Sequence, residues 1–188
     1  MMETRLKEKV AIVTGGASGI GRATVIKFTE ERAIPIFIDK NEEAGSELSK
    51  QLTFNVSPHQ FIFGDLTNYD FCKDTVRKIF EQYGRIDILI NNAGRNDRID
   101  IDFASPEEFR DSLERNLIHY YTMTHHCWPY LKKSKGNVVF VGSKVSLVGE
   151  GKTTAYAAAK GAINSMTREL AAKSCNENLG IRVNCVLP

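Results

Sequence analysis

The sequence has almost no excess of charge of either sign. Its 25 lysines and arginines stand against 23 aspartates and glutamates, which leaves a formal net charge of +2, and the two signs are interspersed along all 188 residues. Binding to nucleic acid or to an anionic membrane surface depends on a concentrated basic patch. We therefore expect neither a nucleic-acid partner nor a membrane partner.

Cysteine is scarce, and its spacing matches no metal site. The four cysteines, Cys72, Cys127, Cys175 and Cys185, form no CxxC pair and lie in segments with the pattern of regular secondary structure. We expect reduced thiols, as in the cytoplasm, and no metal. The amino terminus MMETRLKEK lacks the apolar core of a signal peptide, and no run is long enough to span a membrane. The predicted location is therefore the cytoplasm.

Internal repeats, low-complexity segments and linkers are also missing from the sequence. A length of 188 residues suits one domain with one substantial core. We therefore interpret residues 1–188 as a single domain.

What the sequence does contain is an alternation of short apolar segments with longer segments of helical periodicity. Apolar, β-branched runs of this kind suit strands that are buried on both faces. Their alternation with helices predicts an α/β fold of the Rossmann type, a doubly wound parallel sheet with helices on both faces and the strand order 3-2-1-4-5-6. The expected strands are residues 10–13, 34–38, 61–63, 86–90, 138–141 and 181–187, and the expected helices are about residues 19–32, 42–52, 68–83, 106–132 and 155–175.

The segment TGGASGIG, directly after the first strand, indicates a phosphate site. It places Gly15, Gly19 and Gly21 where the chain must turn sharply and open a helix. Glycine lets the backbone approach a pyrophosphate closely, and the free N–H groups at the start of a helix supply donors. The absence of GxxxxGK excludes a Walker loop, but the spacing also departs from GxGxxG, so a purely structural turn is the alternative interpretation.

Two aspartates follow the next two strands, at the edge of the sheet where ligands bind in such folds. Asp39 is placed to accept hydrogen bonds from both hydroxyls of an adenosine ribose, and its charge would repel a 2′-phosphate. We therefore predict NAD as the cofactor in preference to NADP. Asp65, in the segment GDL, is placed to bind the adenine edge, or else is only a carboxylate at the start of a helix.

Two tyrosines each stand four residues before a lysine, Tyr69 before Lys73 and Tyr156 before Lys160. Tyr156 belongs to the helix after the fifth strand, the strand that Ser143 closes, so both side chains are expected in the cleft. Tyr69 follows the third strand, at the adenine edge of the sheet, and is expected to be a surface residue.

A nearby lysine could lower the pKa of a tyrosine enough for the phenol to act as a base. A phenol has a pKa near 10, and lowering it by about three units requires about 4 kcal/mol. A cation about 4 Å away at an effective dielectric constant near 20 supplies about that amount. Lys160, one helical turn beyond Tyr156, is therefore expected to lower the pKa of Tyr156.

Taken together, these residues resemble the short-chain dehydrogenase/reductase family. The resemblance rests on motifs that occur in the family's order: TGGASGIG (14–21), NNAG (91–94), Asn116 in ERNL, Ser143 in VGS, and Tyr156 with Lys160. It implies an oxidoreductase that interconverts a secondary alcohol and a ketone by hydride transfer with a nicotinamide cofactor.

The resemblance also implies a role for each site residue. Tyr156 would exchange a proton with the substrate hydroxyl, and Ser143 would bind the substrate oxygen. Lys160 would also hold the nicotinamide ribose, and Asn116 would help to hold a water, unless it is an ordinary buried amide. The implied catalytic residues are Asn116, Ser143, Tyr156 and Lys160, and the implied cofactor-binding residues are Gly15, Ser18, Gly19, Ile20, Gly21, Asp39, Asp65, Leu66, Asn92, Ala93, Gly94, Tyr156 and Lys160. Asn91 is expected to tie neighbouring strands together.

The sequence stops at VNCVLP, whereas the family continues into a segment that covers the nicotinamide and the substrate. We therefore expect the functional protein to be longer, with the C-terminal part of the fold missing from this chain. Two remaining loops, residues 95–102 and 144–153, carry the polar residues Arg95, Asn96, Asp97, Glu150 and Lys152. These are either contacts for a sugar, polyol or hydroxy acid or solvated charges.

Two other functions stay open at this point. A nucleotide-sugar epimerase or dehydratase uses a similar tyrosine and lysine, and a non-enzymatic NAD-binding module would need no chemistry at all. The apolar stripe Phe109, Leu113 and Leu117 on the fourth helix, as in other family members, predicts a homodimer or homotetramer. The histidines of that helix, His119, His125 and His126, are expected to be structural or exposed.

Overall fold

Six parallel strands form one sheet in the computed structural model, which describes residues 4–53 and 58–188. Their order is β3-β2-β1-β4-β5-β6, and every neighbouring pair is parallel. This confirms the predicted doubly wound sheet and its strand order. The strands are β1 Val10–Thr14, β2 Ile34–Asp39, β3 Gln60–Phe63, β4 Ile88–Asn91, β5 Asn137–Val141 and β6 Arg182–Val186.

Helices follow the strands close to the expected positions. They are α1 Gly19–Glu30, α2 Glu42–Leu52, α3 Tyr69–Tyr83, α4 Pro106–Leu113, α5 His119–Ser134 and α6 Thr154–Asn176, with a short 3₁₀ turn at Lys144–Ser146. The start of α4 is fixed by a capping box, in which Ser105 Oγ accepts from the Glu108 N–H and the Glu108 carboxylate accepts from the Ser105 N–H.

The structure divides the expected fourth helix, residues 106–132, into two helices. A π-helical turn, Glu114–Ile118, separates α4 from α5, and it contains Asn116. An extra residue in one turn re-aims the side chains that follow it, and such turns are frequent at functional sites. The apolar pattern did not reveal it because the stripe continues on both sides of the turn.

The core lies on both faces of the sheet because successive strand residues point in opposite directions. Ile12 and Ile38 pack with buried residues of α3, α5 and α6, whereas Val13 and Phe37 pack with Val25 of α1 and Leu48 of α2. Within the described ranges, no helix is both long and apolar enough to cross a membrane. The carboxyl ends of the parallel strands all reach one edge of the sheet, where the candidate site lies.

Candidate active site

A pocket of about 520 Å³ opens at the carboxyl ends of the strands. It brings together nearly all of the site residues expected from the sequence; Gly21 and Asn116 do not line it. The expected residues that line it are Gly15, Ser18, Gly19, Ile20, Asp39, Asp65, Leu66, Asn92, Ala93, Gly94, Ser143, Tyr156 and Lys160.

The glycine loop forms one end of the pocket. Gly15 has φ +64°, and a Cβ added there would lie 2.8 Å from the Cα of Ala93. A Cβ on Gly21 would lie 2.0 Å from the Gly15 carbonyl oxygen, whereas a Cβ on Gly19 would meet no described atom within 4 Å. Ser18, the N-cap of α1, makes no side-chain cap hydrogen bond. The loop therefore leaves open space beside uncapped N–H groups, which suits a phosphate group.

Asp39 ends β2 next to this loop. Its Oδ2 accepts from the Ala17 N–H and its Oδ1 accepts from the Asn41 N–H, each at 3.0 Å. These bonds fix the carboxylate against the glycine loop, and each oxygen keeps the capacity for a further hydrogen bond. The residue is therefore oriented to accept from a ribose diol.

Asp65 lines the same end of the pocket and also organises its own turn. Its Oδ1 accepts from the N–H and the hydroxyl of Thr67, both at 2.9 Å. The Thr67 backbone hydrogen bond holds the pKa of Asp65 below its usual range. The N-cap of α3 is Asn68, whose side chain accepts from the Phe71 N–H. Asp65 is therefore not the N-cap of that helix.

The NNAG segment joins the end of β4 to its surroundings, although the roles of its two asparagines differ from the expectation. Asn92 donates to the carbonyl oxygens of Thr14 and Gly15, each at 3.0 Å, and so ties β4 to the glycine loop. Asn91 instead donates to Thr124 Oγ1 at 3.0 Å, on helix α5. The expected link between strands belongs to Asn92, because Asn91 points to the face of the sheet that α5 covers.

Lys160 is buried beneath the other end of the pocket, where its side chain is 2% exposed. Its Nζ donates to the Val141 carbonyl oxygen at 2.8 Å and to the Tyr120 hydroxyl at 3.0 Å. The same nitrogen lies 5.4 Å from the centroid of the Tyr156 ring. Burial lowers the pKa of Lys160 to about 8 because a charged ammonium is costly in this environment.

Tyr156 does not have the lowered pKa that was expected. Burial raises the pKa of its phenol, the neighbouring Ser143 side chain lowers it, and the charge of Asp97 raises it. The Lys160 ammonium does not offset this because burial disfavours its own charge and its donors are directed to other acceptors. The expected electrostatic lowering of the Tyr156 pKa is therefore not found in the free protein.

Asn116 is fully buried in the π-helical turn, and its amide is bonded at both ends. Its Oδ1 accepts from the Arg95 N–H at 2.9 Å, and its Nδ2 donates to Ser112 Oγ at 3.4 Å. A Cβ on Gly94, which has φ +147°, would lie 2.8 Å from that Oδ1. These contacts match the alternative interpretation of Asn116 as an internally bonded amide, and its role in holding a water stays a prediction.

The loop that follows β4 is fastened to the helices around it. Asp97 accepts from Ser112 Oγ and from Arg115 Nη2, each at 3.0 Å. Asn96 Oδ1 accepts from the Thr153 hydroxyl. Asp97 is thus engaged inside the protein, whereas Asn96 is bonded but exposed. Of the other candidate contacts in the two loops, Arg95, Glu150 and Lys152 are exposed as well.

Three residues near the pocket carry contacts that sequence reasoning missed. Tyr120 bridges Lys160 and the Val141 carbonyl oxygen, to which it donates at 3.1 Å. Arg115 and His119 line the pocket itself. All three residues lie within four positions of Asn116 in the sequence. That closeness to a predicted site residue is the signal that could have identified them.

Comparison with known proteins agrees with this arrangement. A model of the short chain dehydrogenase family matches residues 9–188. The chain is 37% identical over 186 residues to L-fucose dehydrogenase of Mus musculus, and the match covers 98% of this chain and 66% of that protein. It is 36% identical over 188 residues to 3-oxoacyl-(acyl-carrier-protein) reductase of Thermotoga maritima, covering 98% of this chain and 74% of that protein.

Solved structures of dehydrogenases are also similar to this chain. The crystal structure of Cj0485 dehydrogenase superposes with a TM-score of 0.91 at 39% identity, covering 100% of this chain and 70% of that one. A short chain dehydrogenase from Mycobacterium smegmatis gives a TM-score of 0.90 at 27% identity, covering 97% of this chain and 77% of that one. The chain thus spans about two thirds of the length of the mammalian relatives that it matches.

Proposed function

This chain belongs to the short-chain dehydrogenase/reductase family, and we propose on that premise that it is an NAD-dependent oxidoreductase that interconverts a secondary alcohol and a ketone. The observation that carries the proposal is that Tyr156, Ser143 and Lys160 line one pocket together with the glycine loop and Asp39. This arrangement supports proton transfer at one end of the pocket and dinucleotide binding at the other.

The binding half of the proposal rests on the fit of this pocket to a dinucleotide. The open space at Gly19 and the uncapped start of α1 would hold the pyrophosphate. The fixed carboxylate of Asp39 would accept from the adenosine ribose and repel a 2′-phosphate, which favours NAD over NADP. When bound, the cofactor supplies the group that accepts or donates a hydride.

The catalytic half rests on three side chains. Tyr156 would take the proton of the substrate hydroxyl during oxidation, or return it during reduction, and Ser143 would orient the substrate oxygen. Lys160 lies below them with a pKa of about 8, so its protonation changes near neutral pH. We propose that Lys160 in its charged form stabilises the ionised phenol of Tyr156 and contacts the nicotinamide ribose.

The relatives support a polar substrate. Several proteins about a third or more identical to this chain carry the name L-fucose dehydrogenase. We propose a sugar or a similar polyhydroxylated compound as the substrate, with Arg95, Glu150 and Lys152 as candidate contacts because they are exposed in the two loops beside the cleft.

The experiment that tests this proposal is a substrate panel with the full-length protein. L-Fucose, other aldoses, polyols, hydroxy acids and simple secondary alcohols would each be supplied with NAD or with NADP, and the absorbance of the reduced cofactor would be followed. We expect turnover of at least one sugar or polyol with NAD. Binding of NAD without turnover of any compound would favour a non-enzymatic binding module, and turnover of nucleotide sugars without net cofactor reduction would favour an epimerase or dehydratase.

A further inference from the structure

Ser143 lies in a short segment that helix α6 holds at two points. Before Ser143, the Val141 carbonyl oxygen accepts from Lys160 Nζ at 2.8 Å. After Ser143, Ser146 Oγ accepts from Asn164 Nδ2 at 2.6 Å, and Asn164 lies one helical turn beyond Lys160. Residues four positions apart lie on the same face of a helix, so both contacts come from one face of α6. The segment that carries Ser143 is therefore attached to that helix on both sides.

The bonds of Ser146 show how this attachment reaches Ser143. Ser146 Oγ donates to the Ser143 carbonyl oxygen at 2.6 Å, and the Ser146 N–H donates to the same oxygen at 3.1 Å. A hydroxyl has a single hydrogen, so Ser146 Oγ can only accept from the Asn164 amide group. The oxygen of that amide accepts from Cys185 Sγ on β6 at 3.5 Å. Asn164 therefore links β6, through Ser146, to the backbone of Ser143.

The contact lies beside the groups that would react, although Asn164 itself does not line the pocket. Tyr156, Lys160 and Asn164 stand at intervals of four residues on α6. Tyr156 and Ser143 both line the pocket, and Tyr156 belongs to the helix that holds the Ser143 segment. Reacting side chains keep a productive geometry only when hydrogen bonds outside the pocket fix them to within about 0.5 Å. The bond from Asn164 to Ser146 is in the place where such support is needed.

We propose that Asn164 positions Ser143 for the reaction, acting through its hydrogen bond to Ser146. The Ser143 hydroxyl is then held beside Tyr156, where the substrate oxygen would bind. The inference rests on the proposed function, because only a reaction at these two side chains gives the contact a consequence for turnover. It assigns a positioning role to a residue that touches neither substrate nor cofactor.

The kinetic test introduces Asn164→Ala into two forms of the full-length protein, one with Ser143 and one with Ser143→Ala, using a substrate identified from the panel. Loss of one such donor costs about 10²- to 10³-fold, which leaves the turnover of Ser143→Ala measurable. With Ser143 present, Asn164→Ala should lower kcat about 10-fold because the hydroxyl loses its alignment, while NAD binding stays nearly unchanged. In the Ser143→Ala protein it should lower kcat about 2-fold or less, because no hydroxyl is left to position. An equal loss in both proteins would indicate a general structural role and overturn the inference.

Amide hydrogen exchange, measured without substrate, tests the attachment itself. The N–H groups of Ser146, Leu147 and Val148 donate to carbonyl oxygens of residues 143 and 144, so they are protected while the turn is held. Asn164→Ala should raise their exchange rates about 5-fold or more. A double variant with Ser146→Ala should exchange like Ser146→Ala alone, because that change already removes the acceptor of the Asn164 bond. Unchanged exchange in Asn164→Ala would overturn the inference whatever the activity of the enzyme.

Two further variants serve as controls. Asn176→Ala makes the same chemical change at an exposed position in the last turn of α6, and it should leave both kcat and exchange at wild-type values. Asn164→Leu has a side chain of similar size without a donor and should behave like Asn164→Ala, which excludes lost packing as the cause. A wild-type protein that turns over no compound of the panel would overturn the proposed function and this inference with it. An active protein in which Asn164→Ala leaves kcat unchanged would overturn the inference alone.

Discussion

Lys160 donates a hydrogen bond to the hydroxyl of Tyr120, with Nζ 3.0 Å from Oη. Tyr120 is fully buried on α5 and in turn donates to the Val141 carbonyl oxygen at the end of β5. The lysine that family resemblance pairs with Tyr156 is thus held from below by a second tyrosine. Because an uncharged hydroxyl that accepts from an ammonium favours its charged form, Tyr120 opposes the loss of charge that burial imposes on Lys160.

We expect Tyr120→Phe to weaken both the fold and the charge of Lys160. Loss of the hydroxyl removes its bonds to Lys160 and to Val141, which should lower the free energy of unfolding by about 1–2 kcal/mol. It should also lower the pKa of Lys160 further, so the alkaline limb of the activity profile should move to lower pH. Denaturant unfolding and a pH profile of kcat would measure the two effects.

Tyr121→Phe provides the matched control for that experiment, because Tyr121 is the next residue and is 59% exposed. It should change neither the stability nor the pH profile. If the two variants behaved alike, the contact between Tyr120 and Lys160 would have no role in the site.

His119 makes a prediction for acid stability. Its pKa is about 4 in the folded protein, against the ordinary histidine value of 6.5 that we expect in the unfolded chain. Between these values the unfolded chain binds a proton that the folded protein does not, so stability falls as the pH falls from about 6.5 towards 4. The loss amounts to about 3 kcal/mol at most. His119→Phe should make the pH dependence of the unfolding free energy shallower in this window, and an identical slope in both proteins would contradict the assignment.

Asp39 is expected to set the choice of cofactor. Asp39→Ala removes the carboxylate that would accept from the ribose hydroxyls and repel a 2′-phosphate. Each charge-assisted hydrogen bond lost should weaken NAD by about 1.5–3 kcal/mol, while NADP should bind better than before. Because the carboxylate also accepts from the Ala17 and Asn41 N–H groups, thermal unfolding must be recorded alongside the binding of both cofactors. A wild-type protein that already prefers NADP would contradict this role.

The fourth prediction concerns assembly. Phe109 and Leu113 of α4 line an apolar groove with Ile99 and Ile101, whereas Leu117 packs against the core of its own chain. The expected stripe is therefore divided, and only its first part is available to a second copy of the chain. We expect a homodimer or homotetramer by light scattering at micromolar concentration, and Phe109→Glu should shift it towards smaller species. A wild-type monomer would count against the prediction.

The sheet was predictable because its central strands β1, β2 and β4 are buried on both faces and so stand out as continuous apolar runs between helices. The pocket followed from the same reasoning, since residues that directly follow parallel strands meet at one edge. The hydrogen-bond partners of individual side chains could not be predicted from the sequence. Tyr120 reaches Lys160 only because α5 packs beside β5, and Asn91 meets α5 because of the direction in which β4 presents it.

The pKa of Tyr156 shows most clearly what could not be predicted from the sequence. Charge and spacing along α6 predicted a lowered value, but the burial of both groups is a property of the folded pocket and raises the pKa of the phenol. Under the proposed mechanism, lowering the Tyr156 pKa would therefore depend on what binds in the pocket as well as on Lys160.

A comparison of the two tyrosines tests the central claim. Tyr69 begins α3, is 54% exposed and lies against His126, so Tyr69→Phe serves as the matched control for Tyr156→Phe. Both changes remove one phenol hydroxyl and keep the ring. Stability and NAD binding should be measured for each variant to exclude an indirect effect.

The decisive measurement is the kcat of both variants in one assay, with a substrate identified from the panel. The proposed mechanism predicts that Tyr156→Phe lowers kcat by about 10²- to 10⁴-fold with NAD binding nearly unchanged, and that Tyr69→Phe stays close to wild type. A Tyr156→Phe variant as active as the wild type would contradict the assignment of Tyr156 as the acid/base.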